Sequence, residues 1–329
     1  MLAFFPVLEI QWLGAIMKRI LCVCFSPAVQ KTVFLNKLNL GEVNRCEKYL
    51  LAAGGKAVNS ARVLEQLQKG CPSLICPAGI KNAALFSSLL SNDKIDFSLV
   101  QIPGYTRECL TVISKDCKQT TELILQEPVS AEDFAVYRKE FLSLVQKEVC
   151  GCEAVLISGS VPECWSEEMP CLVAKIAKSE KKILLVDACN SVLKNILLNC
   201  EVDFVKINEK EFLDTFETCK KTSFSADFTE QEKLSLLKEY ILHACKEFKT
   251  NIIVTRGKNS TIAVNDGKCF EIFPEKIENI VNTTACGDSF NAGFLHEYVN
   301  GSSFEKALQK GTWCASQNAQ TQQPGSIKI

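Results

Sequence analysis

Histidine is nearly missing from this chain: His243 and His296 are the only two in 329 residues. A three-histidine metal centre is therefore excluded, and a serine–histidine–aspartate mechanism has few candidates. An excess of positive charge is missing too. Lys and Arg number 37 against 38 Asp and Glu, a formal net charge of −1, which argues against a nucleic-acid partner. No two cysteines have C-x-x-C spacing, so no zinc ribbon is encoded. No stretch reaches the ~18 consecutive apolar residues of a membrane-spanning helix, and no membrane partner is expected. The G-x-G-x-x-G fingerprint of dinucleotide binding and the G-x-x-x-x-G-K-[ST] phosphate loop are both absent. So are internal repeats and low-complexity linkers.

What remains is an ordinary globular composition, 47% apolar and 23% charged, with ample material to bury. The length suits two domains or one large α/β domain with an appendage. Eighteen cysteines are many, but Cys22 and Cys24 (ILCVCF), Cys109 (RECLTVI) and Cys189 (LLVDAC) lie in or beside apolar runs. They read as small buried hydrophobes of a protein in a reducing cytoplasm. Residues 1–16, MLAFFPVLEIQWLGAI, lack a basic lead and a small-residue cleavage site, and Glu9 interrupts them. They are expected to be a mis-called extension, with the native chain starting at Met17; an intact Met1 terminus on native protein would refute this.

Short apolar runs alternate with helical patterns along residues 17–329. Buried strands are expected at Ile20–Phe25, Ser73–Cys76, Ala154–Ser158, Ile183–Asp187, Phe204–Ile207 and Ile252–Thr255. Helices are expected at Ala57–Gln68, Ala131–Glu148, Glu167–Ser179 and Glu230–Phe248. This alternation implies βαβ crossovers and an α/β fold with a mainly parallel sheet covered on both faces. Two regions break the rhythm. Lys31–Leu35 with Val43–Leu51, and Cys109–Ser114 with Thr121–Leu125, read as strand pairs without helices between them. Insertions at about 27–51 and 105–125 would form a small β-sheet lid over a site, or an antiparallel edge on the main sheet.

Two stretches carry chemistry. In Gly54-Gly55-Lys56-Ala57-Val58-Asn59, two glycines end a strand and open a helix. Backbone amides there favour anions, and the bare backbone allows close approach. Lys56 adds a charge and Asn59 follows one turn on; the same glycines also suit a simple tight turn. In Thr283-Thr284-Ala285-Cys286-Gly287-Asp288, small residues lead into a helix whose buried face is marked by Phe290 and Phe294. The amides of Ala285, Cys286 and Gly287 could cradle an anion. Asp288 in the first turn could be a dipole-compensating cap or a general base for phosphoryl transfer.

Together these stretches resemble the signatures of the PfkB carbohydrate kinases of the ribokinase-like superfamily. The resemblance runs from about Lys18 to the end. It extends to the branch with 1-phosphofructokinase and tagatose-6-phosphate kinase through Ser26-Pro27-Ala28, Gly41-Glu42-Val43-Asn44-Arg45 and Gly54–Leu64. It implies an ATP-dependent, Mg2+-requiring phosphotransferase acting on a phosphorylated ketohexose, fructose 1-phosphate before tagatose 6-phosphate. Asp288 would be the catalytic base and Ala285, Cys286 and Gly287 the anion hole. Lys56 and Arg107 would hold the phosphate already on the sugar. Gly54, Gly55 and Asn59 would contact the sugar, and Ser158 would line its pocket. Asn208 and Glu211 would organise magnesium through waters, with Thr255 and Gly257 beside the nucleotide. Lids of this kind can also pair across a homodimer.

The chain departs from the family pattern in three places. Gln30 stands where the family has an aspartate for the sugar hydroxyls. Ala285 stands where a glycine is usual. A second glycine-rich segment is reduced to Ala78-Gly79-Ile80-Lys81-Asn82. Gln30 and Ala285 motivate an alternative, a catalytically weak sugar-phosphate- or nucleotide-binding protein. A kinase of an unphosphorylated sugar or nucleoside is a further alternative. Cys286, at a helix N-terminus, is either a small-residue replacement or a thiol activated by its position.

Overall fold

A computed structural model describes residues 17–116, 119–125, 134–216 and 228–328. Residues 1–16, the expected extension before Met17, lie outside the described residues. Seven strands form the parallel body of a nine-stranded sheet: β1 (Ile20–Val23), β4 (Pro72–Gly79), β5 (Asp96–Ile102), β8 (Ala154–Ser158), β9 (Ile183–Asp187), β10 (Phe204–Asn208) and β11 (Asn251–Thr255). Two antiparallel strands, β12 (Thr261–Asn265) and β13 (Lys268–Ile272), finish one edge, so the spatial order is β13-β12-β11-β10-β9-β8-β1-β4-β5. Burial on both faces explains the continuous apolar runs of β1, β8 and β9.

Helices cross over between the strands. They are α1 (Lys56–Leu67), α2 (Ala83–Asn92), α3 (Ala135–Val149), α4 (Glu168–Ser179), α5 (Asn190–Asn199), α6 (Glu209–Thr215), α7 (Glu230–Phe248), α8 (Cys286–Val299) and α9 (Phe304–Asn318). The expected main-sheet strands and the expected helices are present within a few residues; residues 131–133 of the helix expected at Ala131–Glu148 lie outside the described ones. Two apolar cores flank the sheet. One gathers Phe25, Phe134, Phe141 and Trp165. The other gathers Phe204, Phe290, Phe294 and Phe304 under α8 and α9. The i, i+4 pair Phe290 and Phe294 does mark the buried face, and the Phe294 ring meets Phe204 edge-on at 5.1 Å. Cys22 and Cys24 are both fully buried, and every described cysteine is free.

The irregular strand pairs form a separate four-stranded sheet, β3 (Lys48–Gly54), β2 (Ala28–Leu35), β6 (Glu108–Ser114) and β7 (Gln119–Leu125), in that order. It is not an edge of the main sheet. Its central pair, β2 and β6, is parallel. The strand expected from Val43 begins only at Lys48. Before it, Asn44 donates to the Asn39 and Glu42 carbonyls and accepts from Asn39 N, with Gly41 at φ 79°, and this local turn outcompetes ladder pairing. One face of the small sheet carries Gln30, Thr32, Thr111 and Glu122 by register. It is turned toward the body, where Thr284 donates to Glu122 at 3.3 Å. The sheet is thus a lid over the strand ends.

Phe294→Ala would empty a site buried between two layers. Such truncations cost about 3–5 kcal/mol, so the denaturant midpoint should fall markedly with the unfolding slope unchanged.

Candidate active site

The site forms where open α/β sheets bind ligands, at the C-terminal ends of the parallel strands. Four elements meet there: the Gly54–Gly55 turn opening α1, the end of β9, the end of β10 and the start of α8. Gly55 has φ 118°, and a Cβ on it would stand 3.1 Å from Cys24 Sγ and from Pro27 Cα. Only glycine lets this turn sit against β1. A Cβ on Gly54 would meet Gln30 Cβ at 2.8 Å, so the glycine also admits the lid.

Asp288 is buried in the first turn of α8. Its Oδ2 accepts from Asn59 Nδ2 at 2.8 Å, and its backbone oxygen accepts from Ser60 Oγ at 2.9 Å. Burial, then the neighbouring Asp187 carboxylate, raise its pKa to about 6. A carboxylate so tuned is a competent base near neutral pH. Asn59, expected on the sugar, is the hydrogen-bond partner of this carboxylate.

Three residues that the sequence reading passed over form the centre. Asp187, 1% exposed at the end of β9, accepts from Lys56 at 3.3 Å, Lys206 at 3.2 Å and Asn291 at 2.7 Å. Burial alone would raise its pKa. The ammonium groups of Lys206 and Lys56 override that and hold it well below the usual carboxylate range. Reciprocally, Asp187 raises the pKa of Lys56. Asn291 follows Asp288 by three residues, so α8 presents both on one face. Lys206 is 4% exposed, and a Cβ on Gly287 would lie 2.6 Å from its Nζ. Gly287 is therefore glycine because a buried ammonium sits against it, directly under the anion loop. A charge ending the apolar run ILLVD, and another inside FVKIN, were the legible signals.

The loop itself is strained. Ala285 is left-handed at φ 68°, a conformation that costs a non-glycine residue roughly 1 kcal/mol. The activated-thiol reading of Cys286 is corrected: burial pushes the thiol up, outweighing its bond from Asn318, and Asp288 adds to the rise. The helix terminus does not prevail because the sulfur is enclosed.

The other expected residues are distributed as follows. Lys56 Nζ also lies 3.8 Å from Glu211 Oε1, so it faces the centre of the site between two carboxylates. Arg107 donates to the Ser26 and Pro27 carbonyls beside the Gly55 turn, and among the described residues it has no carboxylate partner. Gln30 donates to Thr111 Oγ1 at 2.7 Å on the lid's inner face. Ser158 is buried at the end of β8, opposite Asp187 in register, and its Oγ has no hydrogen-bond partner among the described residues. Asn208 and Glu211 form a reciprocal capping box on α6: Glu211 N donates to Asn208 Oδ1 at 2.8 Å and Asn208 N to Glu211 Oε2 at 3.2 Å. Asn208, Thr255 and Gly257 line one groove of about 530 Å3, with Arg256 ion-paired to Glu209 at its wall. No cluster of three acidic, histidine or cysteine residues able to hold a metal exists among the described residues. Nor is any described helix long and apolar enough to cross a membrane.

The family model described as pfkB family carbohydrate kinase matches residues 20–328. A phosphofructokinase-2 mutant from Escherichia coli superposes with a TM-score of 0.80 at 19% identity, covering 94% of this chain and 95% of its own. A possible 1-phosphofructokinase from Thermotoga maritima gives 0.77 at 18% identity, with 94% of each chain covered. A ribokinase from Thermotoga maritima gives 0.71 at 19% identity, covering 94% of this chain and 96% of its own. The fold is thus ribokinase-like.

Asp187→Asn would leave the buried Lys206 ammonium without its counter-charge. Breaking a buried pair this way costs about 3–5 kcal/mol, so the variant should unfold at clearly lower urea concentration than wild type.

Proposed function

The chain belongs to the pfkB family of carbohydrate kinases, and from that premise we propose that it transfers the γ-phosphoryl group of ATP to a hydroxyl of a phosphorylated ketohexose. Fructose 1-phosphate is the first substrate and tagatose 6-phosphate the second. The observation that carries the reading is Asp288, a buried carboxylate with a pKa of about 6 in the first turn of a helix, with the buried Lys206 ammonium set against Gly287 just before it.

In this mechanism Asp288 takes the proton of the acceptor hydroxyl as its oxygen attacks the γ-phosphorus, and ADP leaves on the opposite side. Charge accumulates on the transferred group. The amides of Ala285, Cys286 and Gly287 and the Lys206 ammonium meet it. Asn59 holds Asp288 through Oδ2, and Oδ1, without a hydrogen-bond partner among the described residues, takes the proton. Arg107, which has no carboxylate partner among the described residues, supplies a guanidinium for the phosphate on the far end of the sugar. Lys56, bridged to Asp187 and Glu211, acts nearer the transfer point than the paired clamp expected with Arg107. Gln30 and the orphan Ser158 hydroxyl offer the sugar polar partners.

Magnesium bound with ATP would neutralise the β- and γ-phosphates. The residues present suit it. Glu211 is a part-exposed oxygen donor, and Mg2+ is held by one or two carboxylates, waters and phosphates rather than a protein cage. Asn208 would assist through waters, and the Asn208–Thr255–Gly257 groove suits the nucleotide. Gln30 and the left-handed Ala285 favour one second reading, a slow kinase or sugar-phosphate-binding protein. The lid's outer face, with Tyr49, Leu51, Leu123 and Leu125 exposed, is what a second copy would cover in a homodimer.

Turnover should need Asp288 ionised, so it is full above the carboxyl's pKa and falls as pH drops through about 6. Asp288→Asn should lower kcat roughly 10^2- to 10^4-fold and abolish that limb; unchanged turnover removes Asp288 as base. A coupled ADP-release assay over sugar phosphates, free sugars and nucleosides tests the substrate. Arg107→Ala should raise KM for the sugar phosphate by roughly tenfold or more and leave KM for ATP unaltered. Equal use of free sugars, with Arg107 dispensable, would transfer the proposal to an unphosphorylated substrate. Binding without ADP release would favour the second reading.

A further inference from the structure

The chain's last residues, 321–328, reach the active site without contributing a catalytic group to it. After α9 they run back across α1, and Ile327 enters the apolar core. Gln66 on α1 grips this segment at both ends of its amide: Ile327 N donates to Oε1 at 2.8 Å, and Nε2 donates to Gly325 O at 3.5 Å.

Two buried side chains connect the segment to the chemistry. Asn318, 1% exposed, accepts from Gly325 N at 2.8 Å and Ser326 N at 3.2 Å through Oδ1. Its Nδ2 donates to Thr284 O at 2.8 Å and to Cys286 Sγ at 3.4 Å, on both sides of the left-handed Ala285. Arg62, 3% exposed, donates from Nη1 to Pro324 O at 2.8 Å and to Asn59 Oδ1 at 3.1 Å, and it also donates to Ala53 O at the glycine turn. With Oδ1 of Asn59 turned to the guanidinium, Nδ2 must point the other way, where Asp288 Oδ2 receives it. Gly325, at φ 69°, lies so close that a Cβ would be 2.8 Å from Asn59 Cα.

We propose that the C-terminal segment, with Asn318 and Arg62, is the positioning device of the transfer site: Asn318 fixes the anion loop in its strained form, and Arg62 fixes the amide that aims Asp288. The proposal rests on the reading of Asp288 as base. These contacts reach the anion loop, the glycine turn and Asn59, while an ion pair from Arg62 to Asp93 at 2.7 Å anchors the guanidinium at the end of α2. A loop held in an unfavourable conformation persists only when its surroundings over-determine it, and here the surroundings are the Asn318 amide and the segment it grips.

The test uses Asn318→Ala, which cuts the link to the loop, and Gln66→Ala, which loosens the segment from α1 and touches neither Asp288 nor the loop. Hydrogen exchange of the amides of residues 283–288 is measured beside steady-state kinetics on the substrate panel. In Asn318→Ala these amides should exchange roughly tenfold faster while β8–β11 keep wild-type protection. In both variants kcat should fall, by roughly 10- to 100-fold in Asn318→Ala, with both KM values within about twofold of wild type. Unchanged exchange at 283–288, or faster exchange spread evenly over the sheet, overturns the proposal. So does wild-type kcat in Gln66→Ala, the variant that carries the test if Asn318→Ala does not fold. A wild-type protein inactive on every substrate would refute the kinase reading, and the exchange result would then decide the positioning claim alone.

Discussion

The Asp187 carboxylate, nearly sealed from water between Lys56, Lys206 and Asn291, is the contact on which the rest of the site depends. A lone charge in that position would be too costly to keep. Surrounded by two ammonium groups and an amide, it stays ionised and imposes order on its neighbours. It draws Lys206 beneath Gly287 and Lys56 to the centre. It also adds a second negative charge near Asp288, which reinforces the effect of burial. Two carboxylates in one cavity thus have opposite tendencies, one held ionised and one poised to exchange a proton. This division comes from placement alone, since both are aspartates.

The fold supplies that placement. β9 and β10 are neighbours in the parallel sheet, so Asp187 and Lys206 emerge side by side at the same end. α8 approaches from the opposite side and brings Asp288 and Asn291 on one face. The glycine turn brings Lys56 from α1. No pair among these is close in sequence apart from the two on α8, yet Asp187, Lys56 and Asp288 each lie where a strand ends or a helix begins. Backbone hydrogen bonding is incomplete at such points, and side chains can act without breaking a ladder.

The sequence showed the architecture well because it is written in local patterns. Apolar runs such as AVLIS and ILLVD have the length and burial of parallel strands, and Phe290 with Phe294 gave the face of α8. The lid's existence was legible from strand pairs with no helix between them. The start of β3 was not, because the Asn44 turn is a side-chain effect that the apolar pattern of Val43–Leu51 conceals. Asp288, the anion loop and the glycine turn were legible as motifs. Asp187 and Lys206 were passed over because a charge in an apolar run has meaning only when its partner is known, and the partner lies on another strand. Asn208 and Glu211, expected beside magnesium, also form a capping box that the sequence reading passed over, and Glu211 Oε1 still faces Lys56.

The same reasoning bears on the two departures from the family pattern. A residue with a Cβ at position 285 has to be held in the left-handed region, and holding it requires contacts that a glycine would not need. This chain has such contacts, since the Asn318 amide binds on both sides of Ala285. Gln30 is likewise not idle: its amide is fixed by Thr111, and its Cβ occupies the space that Gly54 leaves. Both substitutions are therefore built into their surroundings rather than merely tolerated by them.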